Sequence, residues 1–108
     1  MFHLKNNTLS ALTFRFTQPN DCVIAISSRG KALESVYFNH VLVSQKPCLL
    51  RRSIHTFMVG DIRYEVMFNY IDVAQDTLNC SLFKNAQLVD RQNSALKRIK
   101  ARIKKVPI

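Results

Sequence analysis

Cys22, Cys48, Cys80, His3, His40 and His55 are the residues of this chain that could ligate a soft metal or take part in nucleophilic catalysis. Structural zinc sites draw ligands from pairs separated by two to four residues, so that a single turn presents both. No two of these residues stand at that spacing, and we expect no metal and no other cofactor. A cysteine or serine nucleophile needs a base within hydrogen-bond reach and a third group to orient that base. His55 is the only mid-chain histidine on an apolar face, which makes it the one candidate base. A strand histidine more commonly packs its ring and bonds a neighbour. Asp72 and Asp76 are close in sequence, but in a polar stretch where carboxylates face water. Gly30 and Gly60 stand alone, so no glycine-rich loop cradles a phosphate. The chain reads as a non-enzyme.

A different chemistry lies in the stretch from Ser94 to Val106. Lys97, Arg98, Lys100, Arg102, Lys104 and Lys105 are basic there, no residue is acidic, and the whole chain carries a formal net charge of +9. Such a segment is drawn to phosphate, to anionic lipid or to an acidic protein surface. Arg29, Lys31, Lys46, Arg51 and Arg52 can extend the charge. Single-strand nucleic-acid binders also show aromatic rings on an open sheet. Here Phe14 and Phe16 share a face with Leu12, and Tyr64 shares one with Ile62 and Val66, so these rings belong to the core. Contact with nucleic acid would be electrostatic. Leu96, Ile99, Ile103 and Val106 recur at helical spacing as a narrow aliphatic stripe. That stripe is narrow for a membrane-surface helix and suits docking on the body's own sheet.

The elements that must position these residues read mainly as strands. Leu12, Phe14 and Phe16 alternate with Thr13, Arg15 and Thr17, which is the period of a half-buried strand. Pro19-Asn20-Asp21 marks a turn, and Cys22 to Ile26 is apolar on both faces, as a central strand would be. Ser27 to Lys31 is the next break. Val36 to Gln45 and Leu82 to Arg91 resemble each other, with Asn39 matching Asn85, Leu42 matching Leu88 and Val43 matching Val89. Each reads as a hairpin with an Asn-led turn, and the absence of Gly leaves room for loops longer than two residues. Two similar hairpins are too little to mark a repeat protein. Between them, Ser53 to Val59 and Ile62 to Tyr70 flank Gly60-Asp61, which suits a type II′ turn. That turn pairs Val59 with Ile62, Phe57 with Tyr64 and His55 with Val66. Ile62, Tyr64, Val66, Phe68 and Tyr70 then share a face that a second sheet or the tail helix must cover. Asp72 to Asp76 is a polar connection, and Leu78 to Phe83 is the next strand.

This layout resembles a type of small bacterial protein of unknown function. The features shared are a Phe-Asn-x-x-Leu-Val hairpin (Phe38 to Val43), a basic stretch, His-x-Phe-x-Val-Gly-Asp-x-x-Tyr-x-Val (His55 to Val66), and a second Asn-x-x-Leu-Val hairpin (Asn85 to Val89). It is also similar to the strand-and-hairpin layout of the Fas apoptosis inhibitory molecule domains, which are β-sandwiches. The resemblance spans roughly residues 33–92, implies a sandwich and carries over no activity.

The expected architecture is an all-β antiparallel sandwich or small barrel of seven or eight strands, with residues 1–93 as one domain and 94–108 as a basic C-terminal helix. Asn93 or Ser94 can cap that helix. A strand over Ile99, Ala101 and Ile103 is the other reading of the tail. Three widely spaced cysteines fit free thiols in a reducing compartment. No basic n-region and apolar h-region open the chain, and no apolar run approaches the roughly 20 residues of a membrane span. We therefore expect a cytoplasmic protein. Its expected function is a non-enzymatic interaction module that contacts nucleic acid or an acidic protein through the six basic tail residues. Exposed sheet edges could add a strand and form a homodimer. The alternative is a small ligand-binding or hydrolytic domain. A deep cavity lined by His55 and a carboxylate would favour it, and a cavity-free body would favour the interaction module.

Overall fold

The structure is a computed structural model, and it describes residues 11–72 and 77–94. Eight strands follow in order among the described residues: β1 (Ala11–Thr17), β2 (Cys22–Ser28), β3 (Leu33–Phe38), β4 (Val41–Pro47), β5 (Arg52–Val59), β6 (Ile62–Asp72), β7 (Thr77–Lys84) and β8 (Gln87–Asn93). They form two antiparallel four-stranded meanders, β1-β2-β3-β4 and β5-β6-β7-β8. Two separate sheets sharing one core make a sandwich rather than a barrel. The basic tail and its expected helix lie outside the described residues, as does most of the stretch from Asp72 to Asp76.

The core forms as the alternation requires. Phe14 and Phe16 of β1, Val23 and Ala25 of β2 and Val36 of β3 are buried from one sheet. Phe57, Tyr64, Val66, Phe68, Tyr70, Leu78, Cys80 and Leu82 are buried from the other. Each fully buried aliphatic or aromatic side chain contributes about 1.5–3 kcal/mol relative to exposure. The β1-β4 sheet covers the Ile62-to-Tyr70 face. The rings of Phe57 and Tyr64, neighbours in the register, have centroids 5.2 Å apart and nearly parallel planes. The Gly60-Asp61 hairpin has the expected register, with Val59 opposite Ile62, Phe57 opposite Tyr64 and His55 opposite Val66. Gly60 has φ +61° while Asp61 has no positive φ, as a type II′ turn demands.

The Asn-led hairpins are tighter than their composition suggested. Both have two-residue loops, and all four loop residues are left-handed: Asn39 and His40 in one, Asn85 and Ala86 in the other. Asn tolerates this conformation, and its side chain adds a bond that Gly could not. Asn39 Oδ1 accepts from the Cys22 N–H at 2.8 Å, while Asn39 N–H donates to the Cys22 carbonyl at 2.9 Å. Asn85 repeats this with Arg63, at 3.0 Å and 2.8 Å.

The likeness of the two hairpins is part of a larger duplication. Each hairpin carries a β-bulge at the same place, between Val36 and Tyr37 in one and between Leu82 and Phe83 in the other. The row Leu12-Ser27-Glu34-Lys46 crosses the first sheet where Ser53-Phe68-Cys80-Gln92 crosses the second. The next row, Phe14-Ala25-Val36-Ser44, corresponds to His55-Val66-Leu82-Asp90. The two meanders thus share strand order, turn positions and bulge positions, which is still short of a repeat protein.

Candidate functional site

The duplication isolates what is unusual in the core. Phe14 of the first meander corresponds to His55 of the second, and Glu34 of the first corresponds to Cys80 of the second. All four are buried. The fold itself therefore accepts apolar side chains at both positions, and the ionisable pair is a feature of this one corner.

β3 brings Glu34 inward beside Ser27 of β2, and β5 brings Ser53 and His55 inward from the facing sheet. His55 Nε2 lies 2.9 Å from Glu34 Oε1, and both side chains are fully shielded from solvent. The Ser53 hydroxyl donates to the same oxygen. The Tyr70 hydroxyl donates to Glu34 Oε2 at 2.7 Å. Tyr70 in turn accepts from the Cys48 thiol at 3.1 Å and meets Ser27 Oγ at 2.7 Å. On the far side of the imidazole, His55 Nδ1 lies 2.7 Å from Ser44 Oγ of β4. The ring also packs edge-on against Phe68, with centroids 5.3 Å apart.

These contacts set the electrostatics. Burial pushes the Glu34 carboxyl up, but hydrogen bonds from His55, Ser53 and Tyr70 and the field of His55 outweigh it, leaving the pKa below the ordinary 4.5. Glu34 is therefore held as a carboxylate, and Nε2 carries the hydrogen that reaches it. In the tautomer with its hydrogen on Nε2, Nδ1 is left to accept from the Ser44 hydroxyl. Tyr70 is pushed above the ordinary 10.0, first by burial, then by its bonds to Cys48 and Glu34 and by the Glu34 charge.

Ser44, His55 and Glu34 thus form a hydroxyl–imidazole–carboxylate relay, the connectivity of a nucleophile, its base and the base's orienting group. His55 is the base expected from sequence, and it has the neighbours expected of a packed strand histidine. Its ring and Glu34 are sealed between the sheets, and neither lines the groove described below. Glu34 and Ser44 escaped the sequence reading. The inward positions of Ser53 and His55 were the available signal, because buried polar side chains on one face require a partner on the other.

His40 sits exposed in its turn. Cys22 and Cys48 are half-buried, Cys80 is buried, and no disulfide links any two of them. Among the described residues, no three His, Cys, Asp or Glu side chains converge as metal ligands. No helix of the described residues is long and apolar enough to cross a membrane. The sheet edges are β1, β4, β5 and β8. Lys46 of β4 donates to the Ile54 carbonyl of β5, and Gln92 of β8 donates to the Arg15 carbonyl of β1 at 2.8 Å. Each seam between the sheets is thus closed at one edge carbonyl by a side chain.

Strand direction sets which charged residues share a pole. The turns at 18–21, 39–40, 60–61 and 85–86 lie at one pole, with Asp21 and Asp61 in them and Arg63 and Lys84 beside them. At the opposite pole lie the 3-10 turn Arg29–Lys31, residues 48–51 and the end of β8. Lys31, Lys46, Arg51 and Arg52 belong to that pole. Arg51 O accepts from Tyr70 N at 2.8 Å, Tyr70 pairs with Leu78, and Leu78 N donates to Ser94 Oγ at 3.0 Å. This row crosses the second sheet from β5 to the end of β8, three strand spacings of roughly 4.8 Å each. The chain therefore leaves β8 towards Lys97 at the pole that carries Arg51 and Arg52. Lys97, Arg98, Lys100, Arg102, Lys104 and Lys105 themselves lie outside the described residues.

A groove of about 520 Å³ opens at this pole between the end of β4 and the start of β5. Lys46, Pro47, Leu49, Leu50, Arg52, Ser53 and Ile54 line it. Comparison of the chain with protein-family models, with curated proteins and with solved structures finds no match.

Proposed function

We propose that this chain is a non-enzymatic interaction module that contacts an anionic partner, nucleic acid or acidic protein, through Lys97, Arg98, Lys100, Arg102, Lys104 and Lys105. The carrying observation is the gathering of Lys31, Lys46, Arg51 and Arg52 at the pole where β8 ends. A basic tail leaving that pole adds its charge to a surface already of the same sign. Attraction of this kind works through release of counterions, so it weakens steeply with salt. The test is binding of the full chain to RNA, DNA and an acidic protein at low and high salt. Replacing the six tail cations by Gln should abolish binding and leave the far-ultraviolet circular dichroism unchanged. Salt-insensitive binding, or binding indifferent to the six replacements, would overturn the reading.

The alternative, a small hydrolytic domain, draws support from the Ser44–His55–Glu34 relay. Against it stands the complete burial of the base. Covalent labelling by a fluorophosphonate, lost in Ser44→Ala, would decide for the hydrolase.

A further inference from the structure

We infer that the groove between β4 and β5 is a docking site for a peptide segment of another protein that carries aliphatic side chains next to carboxylates. This deepens the proposal above, on which it rests for the sign of the partner's charge, and narrows the partner from any polyanion to an acidic protein.

The walls supply the argument. Leu49 and Leu50 are 77% and 66% exposed, more than any other large apolar side chain described. They adjoin Pro47 and Ile54 in one depression, so the apolar surface is contiguous rather than scattered. Contiguous exposed apolar surface edged by charge marks an interaction site. Its size falls within the roughly 300–1,000 Å³ typical of ligand clefts. Both charged residues on its lining, Lys46 and Arg52, are cations, so a complementary occupant pairs carboxylates with them while aliphatic side chains fill the space between.

The same walls disfavour the other anionic partners. No aromatic ring lines the groove, whereas single-stranded nucleic acid gains its affinity by stacking bases on rings. The leucines wall a concavity, whereas a lipid surface calls for an apolar tip that protrudes into it. Lys46 already donates to the Ile54 carbonyl at the edge of β5, so a partner meets side chains here rather than adding a strand.

The test uses the full chain and a fluorescein-labelled synthetic peptide with two adjacent leucines between pairs of aspartates, followed by anisotropy. The peptide should bind, and changing its leucines to serine should weaken binding by about tenfold or more, the share of affinity that two buried leucines carry. Leu49→Asp with Leu50→Asp should cause a loss of the same order with an unchanged circular dichroism spectrum, since both residues are exposed. Arg52→Gln should weaken the aspartate peptide but not its asparagine counterpart. The variant with six Gln in the tail should keep the leucine dependence. If it binds no polyanion yet keeps that dependence, the groove stands whatever the tail does. The inference is overturned if the peptide fails to bind, if binding ignores the leucines on either side, or if Leu49 and Leu50 instead govern sedimentation with phosphatidylserine vesicles.

Discussion

Glu34 of β3 and His55 of β5 meet at 2.9 Å across the two sheets, at positions whose counterparts in the opposite sheet are Cys80 and Phe14. The pair is neither demanded by the fold nor cheap to divide. Removing one partner leaves a charge or a polar ring buried without its bond, at a cost of about 3–5 kcal/mol. Replacing both by apolar side chains removes the charge altogether. His55→Phe and Glu34→Cys should therefore each destabilise strongly, while the double variant should cost less than their sum. Urea unfolding of the singles and the double measures this coupling, and simple additivity would show that the two residues act independently.

The same pair fixes a pH dependence. Glu34 has a folded-state pKa below its ordinary 4.5, so its contribution is complete above that value and is lost as pH falls through the lower, folded-state value. Tyr70 is shifted upward from 10.0, so its contribution is complete below that value and declines as pH rises beyond it. Thermal melts across pH should show both limbs. In Glu34→Gln the acid limb should flatten, and in Tyr70→Phe the alkaline limb should flatten. An acid limb unchanged in Glu34→Gln would assign it to other carboxylates.

Phe68 and Arg63 test the assignment of faces on β6. Phe68 is fully buried against the His55 ring, whereas the Arg63 side chain is 58% exposed beside Glu65. Phe68→Ala should cost about 3–5 kcal/mol through cavity formation. Arg63→Ala should stay within about 0.5 kcal/mol. Equal shifts in denaturant midpoint would mean that the faces are reversed.

The hairpin asparagines give a test of the duplication. Asn39 and Asn85 hold equivalent left-handed positions and equivalent side-chain bonds, to Cys22 N and Arg63 N. Ala at either site forfeits both the backbone tolerance and the bond, at about 1–3 kcal/mol together. Gly restores only the backbone tolerance and should recover part of the loss. The two sites should respond alike. A large effect at Asn39 with none at Asn85 would deny that the turns are counterparts.

What could be read before the structure follows from how local each signal is. The β5-β6 hairpin was legible down to its pairs because Gly60 fixes the turn and alternation fixes the faces. The sandwich followed from the apolar run of Ile62 to Tyr70, which has to be covered. Glu34 was invisible for the opposite reason: a carboxylate beside Ser35 looks like a solvated residue, and only β5 on the other sheet makes its position inward. The duplication was hidden because its core pairs differ in kind, Leu12 with Ser53, Phe14 with His55, Ser27 with Phe68. The turn asparagines and the Leu-Val that follows them kept their identity, as did Phe16 with Phe57 and Ser35 with Ser81.

The boundary between body and tail can be placed at one residue. Ser94 Oγ accepts from the Leu78 backbone N–H, so Ser94 completes the second sheet. The core is otherwise built from residues 14–82, and Phe14, Phe57, Tyr64, Val66 and Phe68 supply much of it. A chain ending at Ser94 should therefore keep a β-rich circular dichroism spectrum and unfold in one cooperative transition. Ser94→Ala in the full chain should cost about 1–3 kcal/mol, because it strands a buried backbone donor. If the chain ending at Ser94 were disordered while the full chain folded, the stripe of Leu96, Ile99 and Ile103 would be part of the core. The six cations would then be the solvated face of a structural element, and the tail would cover the sheet rather than reach for a partner.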